Sequence, residues 1–292
     1  MIRMVHKKNN ILETNEQFSR VIIGLIVFLV ISFSLYFGGF VLLLILLMIS
    51  WQANTEFLNI VATKGINPSK KWIRFMSILF ILTASLATIG YAHDVPIKLF
   101  IFLFIFGVVG SFFRLIFRSK KDHLATIADL STSVLGFVYT GLLTGFIILL
   151  RDYGFEYAFI PITSIAFCDT AAYYGGKLFG RHKLKPEISP KKTLEGAISG
   201  LVLSLVSAMS LVYLFSPSFN NNMAHGIAIG LFCGILSQFG DLFESLLKRD
   251  AGVKDSSHIL LSHGGVLDRI DSYIFVIWAI YFYISWFVIG SF

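Results

Sequence analysis

The sequence predicts an all-α, polytopic membrane helix bundle of about nine transmembrane segments, and three observations carry that prediction. Apolar residues make up 56% of the 292 and charged residues 14%, with a mean hydropathy of +0.78, too apolar for an ordinary water-soluble domain. Apolar runs of spanning length recur at 20–36, 39–56, 72–91, 96–116, 131–150, 157–178, 196–216, 224–247 and 271–290. The loops between them alternate between basic and nearly uncharged.

The first run is of spanning length and more runs follow it, which argues for an uncleaved anchor rather than a signal peptide. The second is the weakest, because Gln52, Asn54 and Glu56 fall near its end. Cys168 and Cys233 both lie inside apolar runs, where a cysteine packs as a small hydrophobe. The basic residues set the orientation. Arg3, Lys7, Lys8 and Arg20 precede the first run; Lys64, Lys70, Lys71 and Arg74 follow the second; Arg114, Arg118, Lys120 and Lys121 follow the fourth. Lys177, Arg181, Lys183, Lys185, Lys191 and Lys192 follow the sixth, and Lys248, Arg249, Lys254 and Arg269 the eighth. Of the 24 Lys and Arg, only Lys98 and Arg151 remain for the other side. Cytoplasmic loops carry such an excess, so the N-terminus is expected inside and the C-terminus outside. The same distribution explains the net charge of +7 without nucleic acid as a partner.

Carboxylates within or beside spanning helices are expensive and mark functional sites. With this topology Asp169, Asp241, Glu244, Asp268 and Asp271 converge on the cytosolic leaflet. A transporter places its charges near the midplane of repeated helices, a pattern absent here. The depth suits a site where a soluble anionic substrate meets a lipid head group. Clustered acids repel such a substrate unless a divalent cation bridges them, and oxygen ligands suit Mg²⁺, with room for a second cation. In the eighth run Ser237, Asp241, Glu244, Ser245 and Lys248 form one polar stripe.

Two cytosolic loops, 177–195 and 248–270, complete the expected site. Ser189-Pro190 reads as a helix entry, which would put Lys191 and Lys192 beside free backbone N–H groups at an anion site. Gly196 and Gly200 are spaced for close helix packing. Gly264-Gly265 allows positive φ or close backbone approach, and Arg269, between Asp268 and Asp271, can orient them or reach a phosphate. His258 and His263 are read as structural or phosphate-contacting, since a phosphomonoester is already mostly dianionic near neutral pH.

Over roughly residues 160–275 these motifs closely resemble the signature of the phosphatidate cytidylyltransferase (CDP-diacylglycerol synthase) family. They comprise Asp169-Thr170 with Ala172-Tyr173 and Gly176; Ser189-Pro190-Lys191-Lys192-Thr193 with Glu195-Gly196; and Gly240-Asp241-Leu242 with Glu244-Ser245. Lys248-Arg249, Lys254-Asp255, His263-Gly264-Gly265 and Asp268-Arg269-Ile270-Asp271 follow. Leu261-Ser262 stands where the family usually has Pro-Gly, and Leu194 where tryptophan is common. The N-terminal half resembles the family only in hydropathy and span number.

The resemblance implies a homodimeric membrane enzyme that uses CTP, phosphatidate and Mg²⁺ among membrane lipids, expected in a bacterial cytoplasmic membrane with its active site facing the cytosol. It implies a metal centre at Asp241 and Asp268 with Asp271 beside it, and a catalytic set completed by Lys248, Arg249 and Arg269. Substrate contacts fall to Asp169, Ser189, Lys191, Lys192, Thr193, Ser245, Lys254, Asp255, His263, Gly264 and Gly265. Residues 126–292 then form the catalytic region, and 1–125 a lipid-facing and dimerising one. Two rivals stand beside this reading. A CTP-dependent lipid-alcohol kinase would attack the γ-phosphorus, against the His-Gly-Gly and Asp-Arg-Ile-Asp motifs. A non-enzymatic transporter or scaffold leaves the clustered acids unexplained.

Overall fold

A computed structural model describes residues 22–88, 94–119, 124–257, 259 and 264–290. Each of the nine apolar runs becomes a helix among these residues: α1 (Ile22–Phe37), α2 (Gly39–Ala62), α3 (Lys70–Ala87) and α4 (Asp94–Arg118). Then come α5 (Ile127–Tyr153), α6 (Phe155–Phe179), α7 (Leu194–Leu214), α8 (Ala224–Asp250) and α9 (Leu267–Ile289). Six of them, α2, α4, α5, α7, α8 and α9, are long and apolar enough to cross a membrane. The doubtful second run is fully helical and continues through Gln52, Asn54 and Glu56. The helical membrane bundle is therefore as expected, with one local departure. Lys183–Lys185 (β1) and Ser189–Thr193 (β2) pair as a short antiparallel hairpin.

The exterior is what a bilayer requires. On α4, Phe102, Ile105, Phe113, Ile116 and Phe117 all face outward, and apolar side chains exposed in such number need lipid or a partner against them. Inside, contact between helices comes from small residues. Gly226, Gly230 and Gly234 recur every fourth residue along one face of α8, opposite Met209, Leu205 and Leu201 of α7. A Cβ on Gly230 would lie 2.7 Å from Leu205 Cα. Gly196 and Gly200 on α7 approach α6 in the same way, near Ala172 O and Cys168 O. Cys168 and Cys233 are buried and free, as packing residues should be. Replacing Gly230 by Leu should separate α7 from α8 and cost about 1–3 kcal/mol. It should appear as a clear drop in Tm in detergent, and a Tm within a degree of wild type would contradict the close crossing.

The helix α5 contains a π turn at Val138–Leu142. The Thr140 carbonyl accepts from Ser50 Oγ of α2 (2.7 Å), and the Thr140 hydroxyl meets Ser77 Oγ of α3 (3.2 Å). This buried polar seam joins three helices, and the turn directs Tyr139 toward Phe243 and Phe275 on α8 and α9.

One end of the bundle gathers the connections that matter. Thr63 donates to Ala251 O (3.0 Å) and Lys64 pairs with Asp250 (3.1 Å), joining the ends of α2 and α8. Arg249 Nε donates to Ile188 O, drawing the hairpin to the same place (3.2 Å). At the opposite end Arg151 bonds the Leu35 carbonyl and Tyr157 bonds Ser218 O (2.5 Å).

Candidate active site

Where α8 crosses α9, Gly240 has no side chain to keep them apart: a Cβ there would meet Asp271 O at 2.5 Å and Ser272 Cα at 3.0 Å. The crossing brings the next residue, Asp241, alongside Asp271, so that the two carboxyls interact. Asp271 is buried. From the hairpin, Lys192 Nζ lies 2.8 Å from Asp241 Oδ2, an ionic contact without the alignment of a hydrogen bond. Asp169 of α6 lies within electrostatic reach of Asp241, Lys192 and Arg269.

The expected helix entry at Ser189-Pro190 is corrected here. Those residues are strand, and the helix starts four residues later with Thr193 as its cap, its hydroxyl accepting from Gly196 N (3.2 Å). Proline is tolerated in an edge strand, so its presence did not decide between the two. Lys192 thus serves the site from a hairpin, alternating with exposed Lys191, rather than from a helix N-terminus.

A second cluster lies at the same end. Lys248 Nζ bridges Glu244 Oε2 (2.7 Å) and Asp268 Oδ1 (2.6 Å). The other Asp268 oxygen accepts from Ser256 N (3.1 Å) and Gly265 N (2.7 Å), and Ser256 Oγ, 2.9 Å away, shares its one proton between Asp268 and Glu56. Gly264 has φ +78°, and a side chain on it would strike the Asp268 carboxylate. The glycine pair does permit close approach, as its sequence suggested, and what approaches is the protein's own carboxylates. Asp268 sits in the first turn of α9, where a negative charge is favourable.

The remaining expected site residues are less engaged. Arg249 holds the hairpin, Arg269 is exposed near Asp169, Ser189 and Ser245 are half-buried, and Lys254 and Asp255 are exposed on the last loop. His258, His263 and the Leu261-Ser262 departure lie outside the described residues.

Donor chemistry separates the two clusters as places for a metal. Asp241, Asp271 and Asp169 are oxygen donors with Lys192 and Arg269 among the cations near them, a set that fits a hard dication. Asp268, expected beside Asp241 as a ligand, has both oxygens occupied by Lys248, Ser256 and Gly265. Among the described residues no three acidic, histidine or cysteine side chains already converge as a ligand cage.

The sequence reading missed two residues. Glu56 of α2 is fully buried against the 256–267 connection, accepting from Ser256, Ser257, Val266 and Leu267. Its signal is in the sequence, a carboxylate within an apolar run like Asp169 and Asp241. Tyr139 is 1% exposed, its hydroxyl has no hydrogen-bond partner among the described residues, and it packs against Phe243 and Phe275 beside the acids of α8 and α9. Its placement depends on where α5 meets α8 and α9, so no local pattern could have revealed it.

A helical membrane bundle that collects carboxylates, lysines and glycine-backed main chain at one end defines a class of protein that handles phosphate groups at a membrane surface. The chain belongs to the cytidylyltransferase family, whose profile matches residues 18–287, and it is a nucleotidyltransferase. It is 34% identical to the phosphatidate cytidylyltransferase of Synechocystis sp., covering 90% of this chain and 95% of that protein. The phosphatidate cytidylyltransferases of Staphylococcus haemolyticus and Staphylococcus aureus are each 34% identical, over 88% of this chain and 93% of theirs.

Proposed function

We propose that this protein transfers CMP from CTP to phosphatidate, giving CDP-diacylglycerol and pyrophosphate. The observation that carries the proposal is the ion pair of Lys192, from the hairpin, with Asp241 of α8 where Gly240 crosses Asp271 of α9, within a chain matched almost end to end by cytidylyltransferases. A phosphatidate phosphate oxygen attacks the α-phosphorus of CTP, the bond from that phosphorus to the bridging oxygen breaks, and its electron pair leaves with pyrophosphate. The attacking phosphomonoester is mostly dianionic at neutral pH and needs no general base. Lys192, with Lys191, Lys254, Arg249 and Arg269 on the same end, attracts and orients the triphosphate. Lys248 and the 256–267 connection hold Asp268 in place, so the protein's contribution is positioning and electrostatics. Mg²⁺ held by Asp241 and Asp271, with Asp169 in reach, would supply neutralisation of phosphate charge.

The proposed setting is a bacterial cytoplasmic membrane, with the chain as a homodimer, all nine helices spanning, and the site facing the cytosol. The basic-loop pattern supports the orientation. Reporter fusions should therefore place the N-terminus inside and the C-terminus outside, and termini on one side would remove a span.

The reaction is tested by label. Purified protein with Mg²⁺ and phosphatidate should carry label from α-labelled CTP into lipid and none from γ-labelled CTP. Transfer of the γ label would make the protein a kinase.

A further inference from the structure

We propose that Glu56 is a positioning residue for the nucleotide: it holds both ends of the 256–267 connection and so sets the affinity for CTP. The inference rests on the cytidylyltransferase reading and adds to it a residue from the N-terminal half. Glu56 Oε1 accepts from Gln52 Nε2 (2.8 Å), Ser257 Oγ (2.7 Å) and Val266 N (3.0 Å); Oε2 accepts from Ser256 Oγ (2.8 Å) and Leu267 N (2.7 Å). Four of these five donors come from about 200 residues away in the chain, on both sides of the Gly264-Gly265 pair.

The local sequence explains why a distant carboxylate is needed. The α9 N-cap is Val266, which has no side-chain acceptor to offer. The first N–H groups of a helix need an acceptor and favour negative charge. Glu56 supplies both from a neighbouring helix. The same hub reaches the site, because Ser256 contacts Glu56 Oε2 with its hydroxyl and Asp268 Oδ2 with its backbone N–H, and Asp268 in turn holds Lys248. The order of control runs from Glu56 through Ser256 and the start of α9 to Asp268 and Lys248. A side chain on Gly265 would strike both Ser256 Oγ and Glu56 Oε2, so Ser256 and Gly265 are packed tightly on this carboxylate.

An acceptor-only group is required. Each carboxylate oxygen faces a backbone N–H, Val266 on one side and Leu267 on the other. In Glu56→Gln the amide NH₂ therefore opposes an N–H whichever way it turns. Asp keeps the charge and both acceptors but is shorter by one methylene.

The test uses full-length protein in detergent micelles with phosphatidate, measuring KM for each substrate and the Kd for CTP by equilibrium dialysis. Glu56→Gln should raise KM and Kd for CTP by about tenfold or more while KM for phosphatidate stays within about twofold. Glu56→Asp should recover part of the loss. A fall in kcat with unchanged CTP affinity is the signature of a misfolded fraction and would overturn the proposal, as would equal rises for both substrates. If Glu56→Gln does not fold, Ser257→Ala removes one donor from the hub and should raise KM for CTP about two- to threefold; no change there overturns it too. Wild-type protein that transfers no α label would bring down the reaction itself, an outcome distinct from active wild type with CTP affinity indifferent to Glu56.

Discussion

Asp241→Asn should lower kcat by about 10²–10³-fold while barely changing stability. The Lys192–Asp241 contact is partly open, at 28% and 35% side-chain exposure, and a pair this accessible contributes at most about 1 kcal/mol to folding. Its catalytic weight is larger on the proposed reading, in which Asp241 and Asp271 would hold the metal. Asp271→Asn should show the separation more sharply. Asparagine keeps the acceptor that Ser272 N uses, so metal-free protein should stay within about 1 kcal/mol of wild-type stability as turnover is lost. Initial rates across a Mg²⁺ titration, paired with thermal unfolding in EDTA, measure both effects. Near-normal turnover at limiting Mg²⁺ in either variant would remove these residues from the metal assignment.

Lys248→Met should have the largest effect on folding. Its ammonium lies between Glu244 and Asp268, whose side chains are only 2% and 6% exposed. Breaking such a pair leaves buried charge uncompensated and costs about 3–5 kcal/mol, a large share of the stability of a typical domain. Among the described residues one Glu244 oxygen has no hydrogen-bond partner, so little in these surroundings can absorb the loss. Adding Glu244→Gln to Lys248→Met restores the cluster's net charge to its original value. The double variant should therefore regain part of the lost Tm, whereas additive losses would show that the bridge is not the source of the effect. Turnover should remain low in both, because Asp268 has lost the cation that holds it.

The helices were legible because hydropathy is a property of each segment taken alone. The acids at one end of the bundle were legible for a related reason, since a carboxylate in an apolar run is conspicuous without any neighbour. Glu56 carried that same signal, yet it stood beside Gln52 and Asn54, and polar residues at the end of a run first suggest that the run is failing. The helix α2 passes through all three, because Gln52 Nε2 and the distant 256–267 connection satisfy the carboxylate. Ser189-Pro190 was ambiguous in itself, as proline serves both a first helical turn and an edge strand. The pairing with Lys183–Lys185 decided for strand.

By itself the sequence determined a helical membrane protein, the end of the bundle where its charge gathers, and the motifs of a cytidylyltransferase. Only the tertiary structure decided which charges meet. Asp241 faces Asp271 and Lys192, while Asp268 belongs to Lys248 and to the loop held by Glu56. Membrane depth follows from counting residues at about 1.5 Å each along a helix. A pairing depends instead on how each helix is turned about its axis and how closely it crosses its neighbour, and Gly240 against Asp271 and the π turn under Tyr139 settle those through contacts between segments far apart in the chain.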